Sequence, residues 1–160
     1  MPANRLFKFL DENKIQYVTL THSPAYTAQE VAASAHIPGK EMVKTVMVKL
    51  DGEMAMAVLP ASETVNFSKL KKAAHATDAD LATEAEFQDL FPNCEVGAMP
   101  PFGKLYGLPV YSDVRLAEDD EIAFCAGSHS ELVRLAYADF ERLVEPQVVH
   151  LTTRESAVAG

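Results

Sequence analysis

The chain has 160 residues and is 48% hydrophobic, enough to bury one core. Its 14 basic and 23 acidic residues leave a formal net charge of −9. That balance argues against gripping long stretches of nucleic acid by phosphate neutralisation, but it leaves room for a small local contact. No apolar run reaches the roughly 18 residues of a membrane span, and the N-terminus lacks the apolar core and cleavage pattern of a signal peptide. A cytoplasmic protein without membrane partners is expected.

In chain order, residues 5–13 read as a short amphipathic helix, with Leu6, Phe9 and Leu10 at helical spacing. Ile15 to Leu20 reads as a strand, and His22, Ser23 and Pro24 as a turn. Thr27 and Glu30 make a capping box that opens a helix to about Ala35, which Pro38 and Gly39 stop. Val43 to Leu50 and Glu53 to Leu59 are apolar runs on either side of Asp51 and Gly52, a strong hairpin signal. Asn66 or Ser68 caps a helix running to about Ala74. Thr83 and Glu86 form a second capping box, opening a helix that ends near Phe91 and Pro92.

From Asn93 to Pro109 the glycines and prolines exclude a regular helix or central strand. Short strands are then expected at Val110 to Ser112, Glu121 to Ala126 and Glu131 to Ala136, with Asp119, Asp120 and Glu121 as a solvated turn. A helix from about Tyr137 to Leu143 precedes a β-like segment, Val148 to Leu151. The expected fold class is α+β: a single domain over residues 1–160, with a mixed, partly barrel-like β-sheet flanked by helices.

Three segments carry candidate chemistry. The first is Lys44, which the period of two places with Val46, Val48 and Leu50, while Thr45, Met47 and Lys49 take the other face. A lysine on an apolar strand face either snorkels to water from the strand mouth or has its charge put to use. The second is Gly97, Ala98, Met99, Pro100 and Pro101, continuing into Phe102 and Gly103. Prolines stiffen such a loop and glycine lets backbone approach closely, so fixed amides could face a substrate oxygen; an ordinary crossover loop has the same composition. The third is Gly127, Ser128, His129 and Ser130, a tight turn that is either a hairpin connection or a place where backbone meets a ligand. Tyr26, just before the Thr27 cap, is either a core staple or a pocket wall.

Other chemistries have no visible support. Cys94 and Cys125 lack metal-ligand spacing and read as small buried hydrophobes. There is no Walker loop, no dinucleotide-binding glycine fingerprint, no zincin motif and no Gly-x-Ser-x-Gly elbow. Lys69, Lys71 and Lys72 read as one solvated helix face.

Lys44 within Val-Lys-Thr-Val, the Gly97–Pro101 loop with its Pro-Phe-Gly103 extension, and the Gly127–Ser130 turn occur in that order at these distances. The ordered set resembles the YbaK/prolyl-tRNA synthetase-associated domain family, over roughly Ile15 to Val149. The resemblance implies a free-standing trans-editing deacylase that hydrolyses the ester of mischarged aminoacyl-tRNA, with no metal or organic cofactor. It implies catalytic roles for Lys44 and Gly97, and substrate binding by Tyr26, Thr45, Ala98, Met99, Pro101, Gly127, Ser128 and His129. The implied partners are the aminoacyl-tRNA acceptor end and an aminoacyl-tRNA synthetase, not DNA. In the branch that clears alanine, asparagine is expected after the lysine, so Thr45 leaves alanine, serine, threonine, cysteine and 2-aminobutyrate all open. The alternative is a binding module that kept the fold without the activity, docking on the acceptor end or a synthetase.

Overall fold

The computed structural model describes residues 4–21, 42–91, 94, 98–128 and 131–152. Its elements follow the local signals closely. Helix α1 spans Asn4–Glu12 and strand β1 spans Tyr17–Thr21. Strands β2, Val43–Leu50, and β3, Glu53–Pro60, form the expected hairpin. Asp51 and Gly52 both sit at positive φ, 51° and 85°, as a two-residue turn matched to strand twist requires. The Asp51 carboxylate also accepts from the Thr77 and Asp78 N–H groups at 2.9 and 2.8 Å, pinning the turn to the chain that follows.

Helix α2, Phe67–Ala73, is capped by Asn66, whose side-chain oxygen accepts from the Lys69 N–H. Strand β4, Ala79–Leu81, precedes helix α3, Glu84–Phe87, where the Thr83–Glu86 capping box is complete. That helix is shorter than expected: it tightens into a 3-10 turn over Gln88–Leu90. Strands β5 (Val110–Asp113), β6 (Glu121–Cys125) and β7 (Glu131–Ala136), helix α4 (Tyr137–Val144) and strand β8 (Gln147–Val149) complete the order. The Thr27 capping box and its helix lie outside the described residues.

Among the described residues the strands form two sheets rather than one. One has the order β1-β7-β6 and is antiparallel; the other has the order β4-β2-β3-β5-β8 and is mixed, with parallel β3–β5 and β5–β8 pairs. A bridge from Met42 to Ala123 links them, and neither sheet closes into a barrel. The main core lies between them. Val43, Met47, Met56 and Val58 from β2–β3 meet Ile122, Phe124, Val133 and Leu135 from β6–β7, with Leu6 and Leu10 of α1 and Phe140 and Leu143 of α4. The other face of the five-stranded sheet is covered by Leu70 of α2 and by Leu151, over Val48, Ala55, Ala57 and Tyr111. Both faces of β2 are therefore lined with apolar contacts.

Asp119 departs from the solvated turn expected of it. It is buried, its N–H bonds the Leu116 carbonyl, and the adjacent Asp120 carbonyl accepts from Tyr137 at the start of α4. This acidic stretch is the joint that seats α4 on the sheet.

Candidate functional site

Lys44 enters at the N-terminal end of β2, opposite Leu59 of β3. It is half-buried. Burial pushes its ammonium below the usual lysine range, against the pull of the Glu63 carboxylate, which raises it. The strand's second lysine behaves oppositely. Lys49 bonds Glu86 at 2.5 Å, which holds the lysine above its ordinary value and brings the Glu86 carboxyl down to about 2. One strand thus carries a lysine committed to an ion pair at one end and a desolvated lysine at the other.

Glu63 was not singled out in the sequence, where it reads as one more loop carboxylate. It lies just past β3, in a turn closed by its own N–H on the Pro60 carbonyl, and is only 7% exposed. The Arg115 guanidinium is its ion-pair partner. Arg115 sits on a 3-10 turn, Val114–Glu118, capped by the buried Asp113. The other Asp113 oxygen accepts from the Leu151 N–H at 2.9 Å. Fifty-two positions separate Glu63 from Arg115, so no local signal joins them.

The two loop motifs meet. The Gly127 N–H donates to the Ala98 carbonyl at 2.8 Å. Gly127 has φ +93°, a conformation that side chains with a Cβ rarely adopt. Ala98 packs in a small apolar cluster with Met42, Ala61, Ala123, Cys125 and Leu132. The Ala61 N–H bonds the Met42 carbonyl at 2.8 Å, two residues from Lys44. The start of β2, the 98–101 loop and the 127–128 turn are thereby fastened at one end of the molecule. Met99, Pro101 and Ser128 are buried. Phe102 anchors the loop, its ring 5.5 Å from Phe124 and 5.9 Å from Phe140. Cys125 is a buried member of the Ala98 cluster, as a small hydrophobe would be.

Thr45 is also buried, but it pairs with Val58 on the main-core face, opposite to Lys44. Tyr26, Gly97 and His129 lie outside the described residues. Among the described residues no group of three or more His, Cys, Asp or Glu could hold a metal ion. No described helix is long and apolar enough to cross a membrane.

The α+β fold that carries these segments is shared with solved structures. A solved candidate trans-editing enzyme for prolyl tRNA synthetase superposes with a TM-score of 0.81, covering 95% of this chain and 97% of its own, at 22% identity. The model of the aminoacyl-tRNA editing domain matches residues 22–143, and the chain belongs to that family. A multifunctional Ser/Thr-tRNA deacylase, ProXp-y of Escherichia coli K12, is 29% identical over 151 residues, covering 91% of this chain and 90% of that protein. A proline–tRNA ligase of Bacillus mycoides is 28% identical over 107 residues, 64% of this chain but only 18% of the ligase.

Proposed function

We propose that this aminoacyl-tRNA editing domain is a deacylase that clears serine or threonine from mischarged tRNA, with Lys44 as its fixed cation. The observation that supports this reading is the cluster joining Met42, two residues before Lys44, to Ala98, with the Gly127–Ala98 hydrogen bond fastening the 127–128 turn to it. The choice of amino acid rests on the likeness to the Ser/Thr-tRNA deacylase.

In this reading a water oxygen attacks the acyl carbonyl carbon, and the carbon–oxygen bond to the terminal ribose breaks. The free amino acid leaves, and the ribose oxygen takes up a proton. The Lys44 ammonium orients the ester and offsets negative charge on its carbonyl or on the neighbouring phosphate. Backbone N–H groups over 97–99 face the tetrahedral oxyanion, where fixed donors are worth most. The neighbouring ribose hydroxyl assists the water. Tyr26, Pro101, Ser128 and His129 are assigned to the amino-acid side of the site; Thr45, on the opposite face of β2 from Lys44, is not. A cytoplasmic setting and delivery by a synthetase belong to the same proposal, since charged tRNA is the substrate.

The test is a panel of tRNAs charged in turn with serine, threonine, alanine, cysteine and 2-aminobutyrate. Seryl and threonyl esters are expected to be cleared fastest, well above their uncatalysed rate. Preferential clearance of alanine, or of nothing, overturns the proposal.

The tRNA body needs positive charge from an acidic chain. Lys71 and Lys72 are exposed on α2, the helix that covers the Lys44 face of the sheet. Each lysine lost from a phosphate contact lowers the slope of log affinity against log salt by about 1. Lys71→Glu with Lys72→Glu should raise KM for aminoacyl-tRNA and flatten its salt dependence, with kcat held. An unchanged salt slope would place the acceptor stem elsewhere.

A further inference from the structure

We propose that Glu63 is the positioning carboxylate of the site: with Arg115 behind it, it aims the Lys44 side chain at the substrate and keeps it there. The inference rests on Lys44 acting in deacylation as above. A carboxylate is rarely this deeply buried without a partner that makes it worthwhile. Glu63 pairs with Arg115, and its turn closes on Pro60, the strand partner of Val43, close enough for its charge to raise the Lys44 ammonium.

The framework around it is rigid. Its turn closes on Pro60, whose strand partner is Val43, next to Lys44. Arg115 is itself held by the cap from Asp113, and Asp113 is tied to Leu151. A row Asp113–Arg115–Glu63–Lys44 therefore runs from the C-terminal segment to the mouth of β2. The charges alternate along this row, and Lys44 is the cation at the end where the ester would bind. Arg115 shares the Glu63 charge, so Lys44 is not fully neutralised, and Glu63 offsets the cost of holding Lys44 charged in a half-buried position.

The experiment measures single-turnover hydrolysis of seryl-tRNA and, separately, the titration of Lys44 followed by NMR of its ε-carbon. In Glu63→Gln the rate should fall about tenfold, or about 1.4 kcal/mol in the barrier, and Lys44 should titrate at lower pH than in the wild type. Wild-type rate with an unmoved titration overturns the proposal. Because Glu63→Gln strands the Arg115 charge, Glu63→Gln with Arg115→Met serves as the second variant. It should regain thermal stability yet keep the slow rate and the lowered titration. If the double variant recovers the wild-type rate, Glu63 is only a structural partner of Arg115 and the proposal fails. If wild-type hydrolysis does not depend on Lys44, the functional reading fails instead, while the titration still reports whether Glu63 and Lys44 are coupled.

Discussion

Lys44→Ala should lower kcat/KM for deacylation by about 10²–10³, the usual cost of removing one fixed donor from developing charge. The protein should stay folded. Lys44 is half-buried and its charge is disfavoured there, so its loss removes a cost rather than a support. Glu63 is not orphaned, because Arg115 remains its ion-pair partner.

The pH dependence follows from the same shift. The folded-state value lies below the unfolded 10.5, so between the two the unfolded chain binds more protons and stability rises with pH. Below the folded value the desolvation cost of the charged lysine is fully present. Lys44→Ala should flatten that rise. Activity that needs the ammonium should decline as pH climbs through the lowered value, once the uncatalysed alkaline hydrolysis of the ester is subtracted. Near-wild-type turnover by a folded Lys44→Ala protein would remove Lys44 from the mechanism.

Gly103→Ala should be the most destabilising of these substitutions, by about 3 kcal/mol or more, beyond the usual range for overpacking. A Cβ at Gly103 would stand 2.3 Å from the Leu108 carbonyl oxygen and 2.6 Å from Val110 Cγ2. The valine can turn aside; the backbone oxygen cannot. The chain doubles back here: the Gly103 carbonyl accepts from both Gly107 and Leu108, the latter at 2.9 Å. Gly107→Ala is the control. A Cβ there meets open space and only the positive φ of 70° opposes it, a cost of about 1 kcal/mol. Urea unfolding of the pair should show a much lower midpoint for Gly103→Ala. Deacylation should fall with it, because Gly103 follows the Pro101–Phe102 anchor of the candidate loop. Equal midpoints would mean that the 103–108 turn relaxes freely.

What the sequence could show was local. The Asp51–Gly52 turn, the Asn66 cap and the Thr83–Glu86 box are complete within a few residues, and each formed as expected. β2 was also legible: the period of two puts Lys44 and Thr45 on opposite faces, and the pairing with Leu59 and Val58 agrees. Strand β4 escaped notice because three residues, two of them exposed, carry no alternation to read.

The partition of strands between two sheets is different in kind. It depends on which edge pairs with which: β1 crosses to β7, and β5 adds in parallel to β3. Hydrogen bonds between distant strands decide that, and the backbone groups that make them are the same in every residue. The ordered motifs at Lys44, at 97–103 and at 127–130 were enough to indicate an editing domain, since residue type and spacing carry that resemblance. Glu63 was invisible for the opposite reason. A carboxylate in a loop has no distinguishing neighbour until folding closes the 52 positions to Arg115 and brings the Glu63 charge to bear on Lys44. The sequence determined the chemical parts of the site and the elements that bear them. Tertiary structure alone decided which charges face one another, because burial and long-range contact, not residue identity, set the strength of a charge.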